Sequence, residues 1–307
     1  MKNRSKRNKY SNMGNGYYHF CTDGLLSGKL FYNDAQFAYG MILIGLLTLQ
    51  FNLKIYGFVL MSNHIHIILS GTGDECVKAF DYLRKKINER LIIEGFPSIP
   101  DDYDFLLVPI TDLNQMRSEM AYVLRNPLEK NISIPQGYPW GTGWVYYNDM
   151  SGYFTGTKAS EMSVRELRRL CCSKISIPDN WQFHNRIGLL PDSFIDKTLM
   201  YKLYPEAKDY ETYLVKDYES YVRIAKELGD TIEFEYFEIN DIVDQVLQDY
   251  FGGASLNALS KDSKAKLVRH LSMRYNLNPS EIAKSVKITE KVVRQILSSK
   301  EYRTHLS

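Results

Sequence analysis

Several features of secreted and membrane proteins are missing from this 307-residue sequence. It contains only four cysteines, without the paired spacing of a zinc site, and the adjacent pair Cys171 and Cys172 suits an ordinary disulfide poorly. The most apolar stretch, residues 37–49, is shorter than the roughly 20 residues of a membrane-spanning helix. Residues 1–9 lack the apolar centre of a secretory signal. We therefore expect a cytoplasmic protein with reduced cysteines and no membrane partner.

The net charge of +2 conceals an uneven distribution along the chain. Residues 1–9 carry five basic side chains and no acidic one, and residues 261–307 hold eleven Lys or Arg against four Asp or Glu. Residues 192–250 are acidic, with six basic against fifteen acidic side chains. Basic ends around an acidic middle indicate contact with a polyanion at the ends, although a solvated surface of uneven charge explains the same counts.

The first 150 residues alternate strand and helix patterns. Apolar alternation predicts strands at 17–22, 53–60, 64–69 and 105–110, and helical periodicity with capping signals predicts helices at 34–49, 74–94 and from Thr111 or Asp112 to Asn126 and Pro127. Such an order predicts an α+β domain in which helices cover an antiparallel sheet. Residues 128–160 are predicted to be irregular, and residues 161–250 show helical stretches without a chemical motif.

Gly252 and Gly253 indicate a linker. After it, the sequence predicts a small basic module of three short helices at 261–275, 279–286 and 290–298. Asn278 and Thr289 are predicted to cap the second and third helices. The apolar positions form a helix-turn-helix core: Leu267, Leu271, Ile282, Val286, Val293, Ile296 and Leu297. Lys287, Lys291 and Arg294 would then face outward and contact DNA. Basic three-helix modules also bind proteins, so that alternative stays open.

His64-Ile65-His66 is the sharpest local feature of the sequence. Side chains two residues apart on a strand share a face, so both imidazoles would point to the same side while Ile65 enters the core. Two such rings can each offer a nitrogen to one cation. Alone, the motif is weak evidence for a metal, because two hydrogen-bonded or exposed histidines on a half-buried strand explain it more simply.

The helix before Pro127 carries a second candidate set. Its apolar stripe comprises Met116, Met120, Val123 and Leu124, whereas Gln115, Glu119, Tyr122 and Asn126 follow one another on a different face. Tyr122 is therefore expected outside the apolar stripe. Read alone, it is a rim tyrosine, one of 23 in the chain.

Three segments together resemble one family. Residues 56–69 (YGFVLMSNHIHIIL) resemble the strand, turn and His-hydrophobic-His strand of the IS200-like and REP-associated tyrosine transposases. Residues 122–127 (YVLRNP) resemble their nucleophile helix, and residues 137–140 (GYPW) resemble a following Tyr-Pro-Trp of the REP-associated branch. The joint match spans about residues 15–142. The resemblance implies a ferredoxin-like HUH domain at 15–142, between a basic tail at 1–14 and a mostly helical extension at 143–252, with the helix-turn-helix module at 253–307.

The resemblance also implies a chemistry. Tyr122 would be the catalytic nucleophile, and His64, His66 and Asn126 would bind a divalent metal, Mg²⁺ or Mn²⁺, of which Mn²⁺ suits two imidazoles and an amide better. The substrate would be single-stranded or hairpin DNA, nicked and rejoined through a 5′-phosphotyrosine. Two alternatives remain: a DNA-binding regulator with little catalysis, and a replication or conjugation initiator, which usually carries larger partner domains. A homodimer is compatible with the sequence, which leaves oligomeric state, target DNA and the role of residues 143–250 open.

Overall fold

The structure is a computed structural model that describes residues 2–24, 28–129, 132–147, 154–216, 218–230, 234 and 236–299. The chain divides into two compact units, Met1–Lys216 and Asp217–Ser307. Each has a core of its own, and we describe them separately as the first and second unit.

A four-stranded antiparallel sheet forms the centre of the first unit. Its strands are β1 (Gly16–Thr22), β2 (Lys54–Leu60), β3 (Ile65–Gly71) and β4 (Phe105–Ile110), in the spatial order β2-β3-β1-β4. The register pairs Cys21 of β1 with His66 of β3, so these two residues share one face of the sheet. Phe20 points to the opposite face, because successive side chains alternate.

Four helices accompany this sheet: α1 (Lys2–Ser11), α2 (Asp34–Gln50), α3 (Gly73–Ile93) and α4 (Leu113–Glu129). Helix α3 begins with a capping box in which Thr72 and Glu75 satisfy each other's backbone N–H groups. Asp112 caps α4 by accepting from the backbone of Asn114 and Gln115, both at 2.9 Å. These caps lie where polar residues precede the helical periodicity in the sequence.

The sheet is covered on both faces. On the Phe20 face, Phe80 of α3 stacks on Phe105 of β4 with ring centroids 4.6 Å apart, and α2 packs beside it. On the Cys21 face lies α4, which approaches β2 most closely at Gly57. A Cβ atom at that glycine would lie 2.5 Å from the Met120 sulfur, so a side chain there would require buried Met120 to shift.

The remainder of the first unit packs around β2 and α4. Residues 135–147 run along the edge of β2, where Thr142 accepts from the Phe58 backbone N–H at 3.0 Å. Beyond them come a small sheet, β5 (Thr157–Lys158), β6 (Gln182–His184) and β7 (Gly188–Leu189), and the helices α5 (Val164–Cys171), α6 (Thr198–Leu203) and α7 (Ala207–Lys216). Helix α7 packs on α4, so α4 is enclosed between two layers.

The second unit is helical. It comprises α8 (Tyr218–Leu228), α9 (Tyr236–Phe251), α10 (Lys261–Tyr275), α11 (Pro279–Val286) and α12 (Glu290–Ser298). The apolar positions predicted for the last three helices are buried or partly buried in one core, which also includes Val222 of α8 and Ile242 and Val246 of α9. The acidic stretch before Gly252 therefore contributes two helices to the same compact unit as the basic module.

The α+β class with an antiparallel sheet is confirmed, and the predicted strands agree with β1 to β4 within two residues at each end. Two local predictions are wrong. Helix α4 does not end at Asn126 and Pro127 but continues to Glu129, and beyond it the backbone N–H groups of Ile132 and Ser133 donate to the Pro127 carbonyl. Thr289 occupies the cap position of α12, but its side chain makes no capping hydrogen bond. Among the described residues, no helix is both long and apolar enough to cross a membrane.

Candidate functional site

Two histidines meet at the beginning of β3. His64 immediately precedes the strand, and His66 is its second residue. Their ring centroids are 4.8 Å apart and the rings are nearly perpendicular, at 88°. Both side chains are buried on the face of the sheet that α4 covers. The alternation of side chains along β3 thus brings the two imidazoles together.

Helix α4 places Tyr122 and Asn126 against these rings. The Tyr122 ring centroid lies 5.5 Å from that of His66, and the Asn126 Oδ1 lies 3.3 Å from His64 Nε2. The Asn126 amide nitrogen donates to the Tyr122 carbonyl one turn earlier, at 3.0 Å. This bond turns the amide oxygen of Asn126 toward the histidine pair.

The polar face of α4 is buried, which differs from the expectation of a rim tyrosine. Tyr122 is 1% exposed, and Glu119 and Asn126 are buried beside it. The opposite side of the helix is also covered, because Arg125 donates to the Leu214 carbonyl of α7 at 2.9 Å. The sequence of one helix does not show that protein covers both of its faces, so its polar residues predict an exposed side.

His19 of β1 is a member of this site that the sequence analysis missed. Its Nε2 lies 3.0 Å from His66 Nδ1, and its Nδ1 lies 2.8 Å from Glu119 Oε2 on α4. Gln115 donates to the other Glu119 oxygen at 3.5 Å. The signal was present in the alternation of His19 and Cys21 around buried Phe20, but it becomes informative only with the pairing of β1 and β3.

Burial controls the charge of His66. The pKa of this imidazole lies well below its ordinary value, first because the ring is removed from solvent and then because His64 and His19 lie close to it. His66 is consequently neutral at pH 7. A neutral imidazole keeps one unprotonated ring nitrogen, as metal coordination requires.

Cys21 lies directly opposite His66 in the β1–β3 register, and its sulfur is 3.9 Å from His66 Nε2. The thiol is also 3.4 Å from the Thr22 carbonyl, within the range of a weak donor. Cys21 thus borders the side of His66 that His19 does not contact.

The donor set of the site fits a divalent cation. His64 Nδ1 lies 2.8 Å from Asn63 Oδ1, and donation of its hydrogen there leaves a lone pair on Nε2. In that tautomer, Nε2 and the Asn126 Oδ1, which lie 3.3 Å apart, are both acceptors, as two ligands of one cation must be. Adjacent ligands of an octahedral ion bound at about 2.1 Å are separated by about 3 Å, which this spacing matches.

Lys287, Lys291 and Arg294 belong to the second unit and are exposed there. Lys287 ends α11 in a left-handed conformation with φ 57°, and Lys291 lies on α12. Arg294 is paired with Glu290 one turn before it, at 2.6 Å. The free basic charge that this surface offers is therefore smaller than the sequence suggests.

Comparison with known proteins gives one structural likeness. The chain is similar to a REP-associated tyrosine transposase whose structure was solved bound to a REP hairpin, with 17% identity and a TM-score of 0.35. The match covers 42% of this chain and 78% of that one. No protein-family model and no curated protein matches the chain.

Proposed function

We propose that this chain is a metal-dependent tyrosine endonuclease of the HUH class that nicks and rejoins single-stranded DNA beside a hairpin. The observation that carries the proposal is the meeting of His64, His66 and Asn126 with the Tyr122 ring in one site. These residues come from a strand and a helix separated by more than 50 residues. Their combination is far more specific than a His-x-His motif alone.

The fold supports the proposal. The chain order β1-α2-β2-β3-α3-β4, with the sheet order β2-β3-β1-β4, corresponds to the split β-α-β arrangement of ferredoxin-like domains. The site lies on the sheet face opposite α2 and α3, which leaves that face to α4. On this basis we propose that residues 15–142, within the first unit, form the ferredoxin-like HUH domain.

The chemistry follows from the groups present. The Tyr122 phenol loses its proton and its oxygen attacks the scissile phosphorus, so an O–P bond forms while the bond from phosphorus to the 3′-oxygen breaks. The leaving 3′-oxygen takes a proton and becomes a free hydroxyl, and the 5′-phosphate stays on Tyr122. Reversal by another 3′-hydroxyl joins strands without ATP. A divalent ion held by His64, His66 and Asn126 would supply charge neutralisation at the phosphate oxygens.

Nucleic acid is also the proposed partner of the second unit. Helices α11 and α12 are joined by the short turn at residues 287–289, and the exposed Lys287 and Lys291 lie at this turn and on the last helix. That arrangement suits a helix-turn-helix module contacting DNA phosphates. It would add affinity without taking part in the reaction.

The proposal is tested with a hairpin oligonucleotide labelled at its 3′ end and the full-length protein in Mn²⁺ or Mg²⁺. Wild type is expected to form a covalent adduct that survives denaturing electrophoresis, whereas Tyr122→Phe forms none. Tyr210→Phe is a matched control, since Tyr210 is also buried but donates to the Gly143 carbonyl at 3.1 Å and not to a site residue. Loss of the adduct in both variants, or an adduct with Tyr122→Phe, would contradict the assignment.

A DNA-binding regulator without catalysis is the second candidate, and one observation favours it. Tyr122 is 1% exposed, and His64, His66 and Asn126 are buried, so a DNA strand reaches the phenol only if the site opens. Tight hairpin binding without adduct in every metal tested would select this candidate. His64→Ala separates the two further: the enzyme loses nicking but keeps hairpin affinity, which comes from phosphate contacts elsewhere.

A further inference from the structure

Three buried side chains from three elements form a continuous polar chain: Glu119 on α4, His19 on β1 and His66 on β3. We propose that Glu119 and His19 are positioning residues that hold His66 in the tautomer protonated at Nδ1, so that its Nε2 presents a lone pair for metal binding. The inference rests on the proposed function for the identity of His66 as a ligand.

The direction of the two hydrogen bonds follows from which atoms can donate. A carboxylate only accepts, so His19 Nδ1 must carry the hydrogen that lies between it and Glu119 Oε2, at 2.8 Å. A neutral His19 then has a lone pair on Nε2. With Glu119 ionised and His19 neutral, the donor between His19 Nε2 and His66 Nδ1, which lie 3.0 Å apart, is His66. The hydrogen of His66 is thus placed on the nitrogen facing His19, and Nε2 is left unprotonated.

Burial prevents these three side chains from exchanging their hydrogen-bond partners for water. His19, His66 and Glu119 are each at most 1% exposed, so water cannot replace a lost partner. The second Glu119 oxygen accepts from Gln115, which keeps the carboxylate in place for His19. Metal-binding histidines commonly donate their other ring N–H to a fixed acceptor, which sets both tautomer and ring orientation. Here the acceptor is a histidine that a carboxylate orients in turn.

A structural role is the competing explanation, because the same bonds tie α4 to the sheet. The two explanations differ in a measurable way. If the hydrogen bonds of Glu119 and His19 are purely structural, removing them lowers stability without changing the tautomer of His66. If they position His66, they determine which of its ring nitrogens is protonated. The tautomer of a neutral histidine is directly visible in the ¹⁵N chemical shifts of its ring.

The test uses metal-free, DNA-free full-length protein labelled with ¹⁵N-histidine, followed by Mn²⁺ titration monitored by the electron paramagnetic resonance of the free ion. Wild-type His66 is expected to be protonated at Nδ1. In Glu119→Leu and in a second variant, His19→Phe, the His66 proton is expected to be no longer fixed at Nδ1. Both variants are also expected to bind Mn²⁺ about 10- to 100-fold more weakly. Glu119→Gln, whose side-chain oxygen still accepts, is expected to retain most of the affinity.

Thr142→Val is the matched control, because it also deletes a buried hydrogen bond in the first unit, to the Phe58 backbone, but away from the histidines. It should leave the tautomer and the Mn²⁺ affinity unchanged. The inference is overturned if wild-type His66 is protonated at Nε2, if both Glu119→Leu and His19→Phe leave tautomer and affinity unchanged, or if Thr142→Val causes an equal loss. The tautomer and the Mn²⁺ affinity are measured without DNA. If the protein does not nick DNA, the proposed function is contradicted, but the test of Glu119 and His19 as positioning residues remains valid.

Discussion

Asn126 joins the two halves of the candidate site through one amide. Its nitrogen donates to the Tyr122 carbonyl at 3.0 Å, and its oxygen lies 3.3 Å from His64 Nε2. The hydrogen bond to the helix backbone therefore decides which end of the amide faces the histidines. A metal bound there would be linked through a single helical turn to the tyrosine proposed as nucleophile.

Asn126→Ala is expected to weaken Mn²⁺ binding about tenfold or more, since even lost outer-shell partners have effects of that size. The loss of the bond to the Tyr122 carbonyl should also lower the free energy of unfolding by about 1 kcal/mol. Mn²⁺ titration and urea denaturation measure the two effects. Asn114→Ala, an exposed asparagine on the same helix, is the control; equal Mn²⁺ affinity in both variants would remove Asn126 from the ligand set.

His270 predicts a pH dependence in the second unit. Its pKa lies below the ordinary value, first because of burial and then because Arg274 is near, so the folded state favours the neutral ring. In the unfolded chain the ring takes up a proton as pH falls below about 6.5. The stability contribution is therefore present above that pH and is lost below it. His270→Phe should show a smaller decrease in melting temperature between pH 7.5 and 5.5 than wild type; an equal decrease would exclude His270 as the source.

Helix α4 is the element on which the site depends, and its depth is set where it crosses β2. Met120 lies over Gly57, and the absence of a side chain at Gly57 lets the helix approach the sheet closely enough for Tyr122 and Asn126 to reach the histidines. Helix α7 packs on the opposite side of α4. The helix therefore has little freedom to shift without disturbing both layers.

Gly57→Ala is expected to push α4 outward, because the added Cβ would meet the Met120 sulfur at 2.5 Å. Overpacking of this kind costs about 1–3 kcal/mol of unfolding free energy. Adding Met120→Ala should restore part of that loss, and a double-mutant cycle in urea measures the coupling. Strictly additive effects would show that the two positions do not limit the approach of the helix.

The predictability of these elements differed for physical reasons. The alternation around Ile65 and Ile67 predicted β3 because one face of that strand is apolar, and the capping residues located α3 and α11 within a residue. The partners of His66 could not be predicted in the same way. His19 and Glu119 reach it through strand pairing and helix packing, contacts that depend on long-range register. Likewise, the burial of Tyr122 depends on the packing of α4 against the sheet, which brings its ring to His66 and His19.

At the scale of the whole molecule, the chain combines a sheet unit that holds the candidate chemistry with a helical unit that carries exposed basic residues. The acidic helix α9 shares the core of the second unit with the basic helix α10. Charge segregation along the sequence is therefore not a division between compact units. Exposed basic residues lie on the second unit, and the first unit carries its own basic segment at residues 1–9.

Lys287→Ala combined with Lys291→Ala should weaken hairpin binding and reduce its dependence on salt. Each lost phosphate contact lowers the slope of log K against log salt concentration by about 0.7–0.9. Fluorescence anisotropy between 50 and 250 mM NaCl measures that slope. Lys266→Ala, exposed on α10, is the control and should leave it unchanged. An unaltered slope in the double variant would show that this surface does not contact DNA.

The central claim is that Tyr122 is the residue that becomes linked to DNA. The most direct test of this claim begins with incubation of the protein with a hairpin oligonucleotide and Mn²⁺. The protein is then digested with nuclease and protease, and its peptides are analysed by mass spectrometry. The account predicts a nucleotide linked through its 5′-phosphate to Tyr122 and to none of the other 22 tyrosines. A nucleotide on another tyrosine, or a nicked strand with no nucleotide bound to the protein, would contradict it.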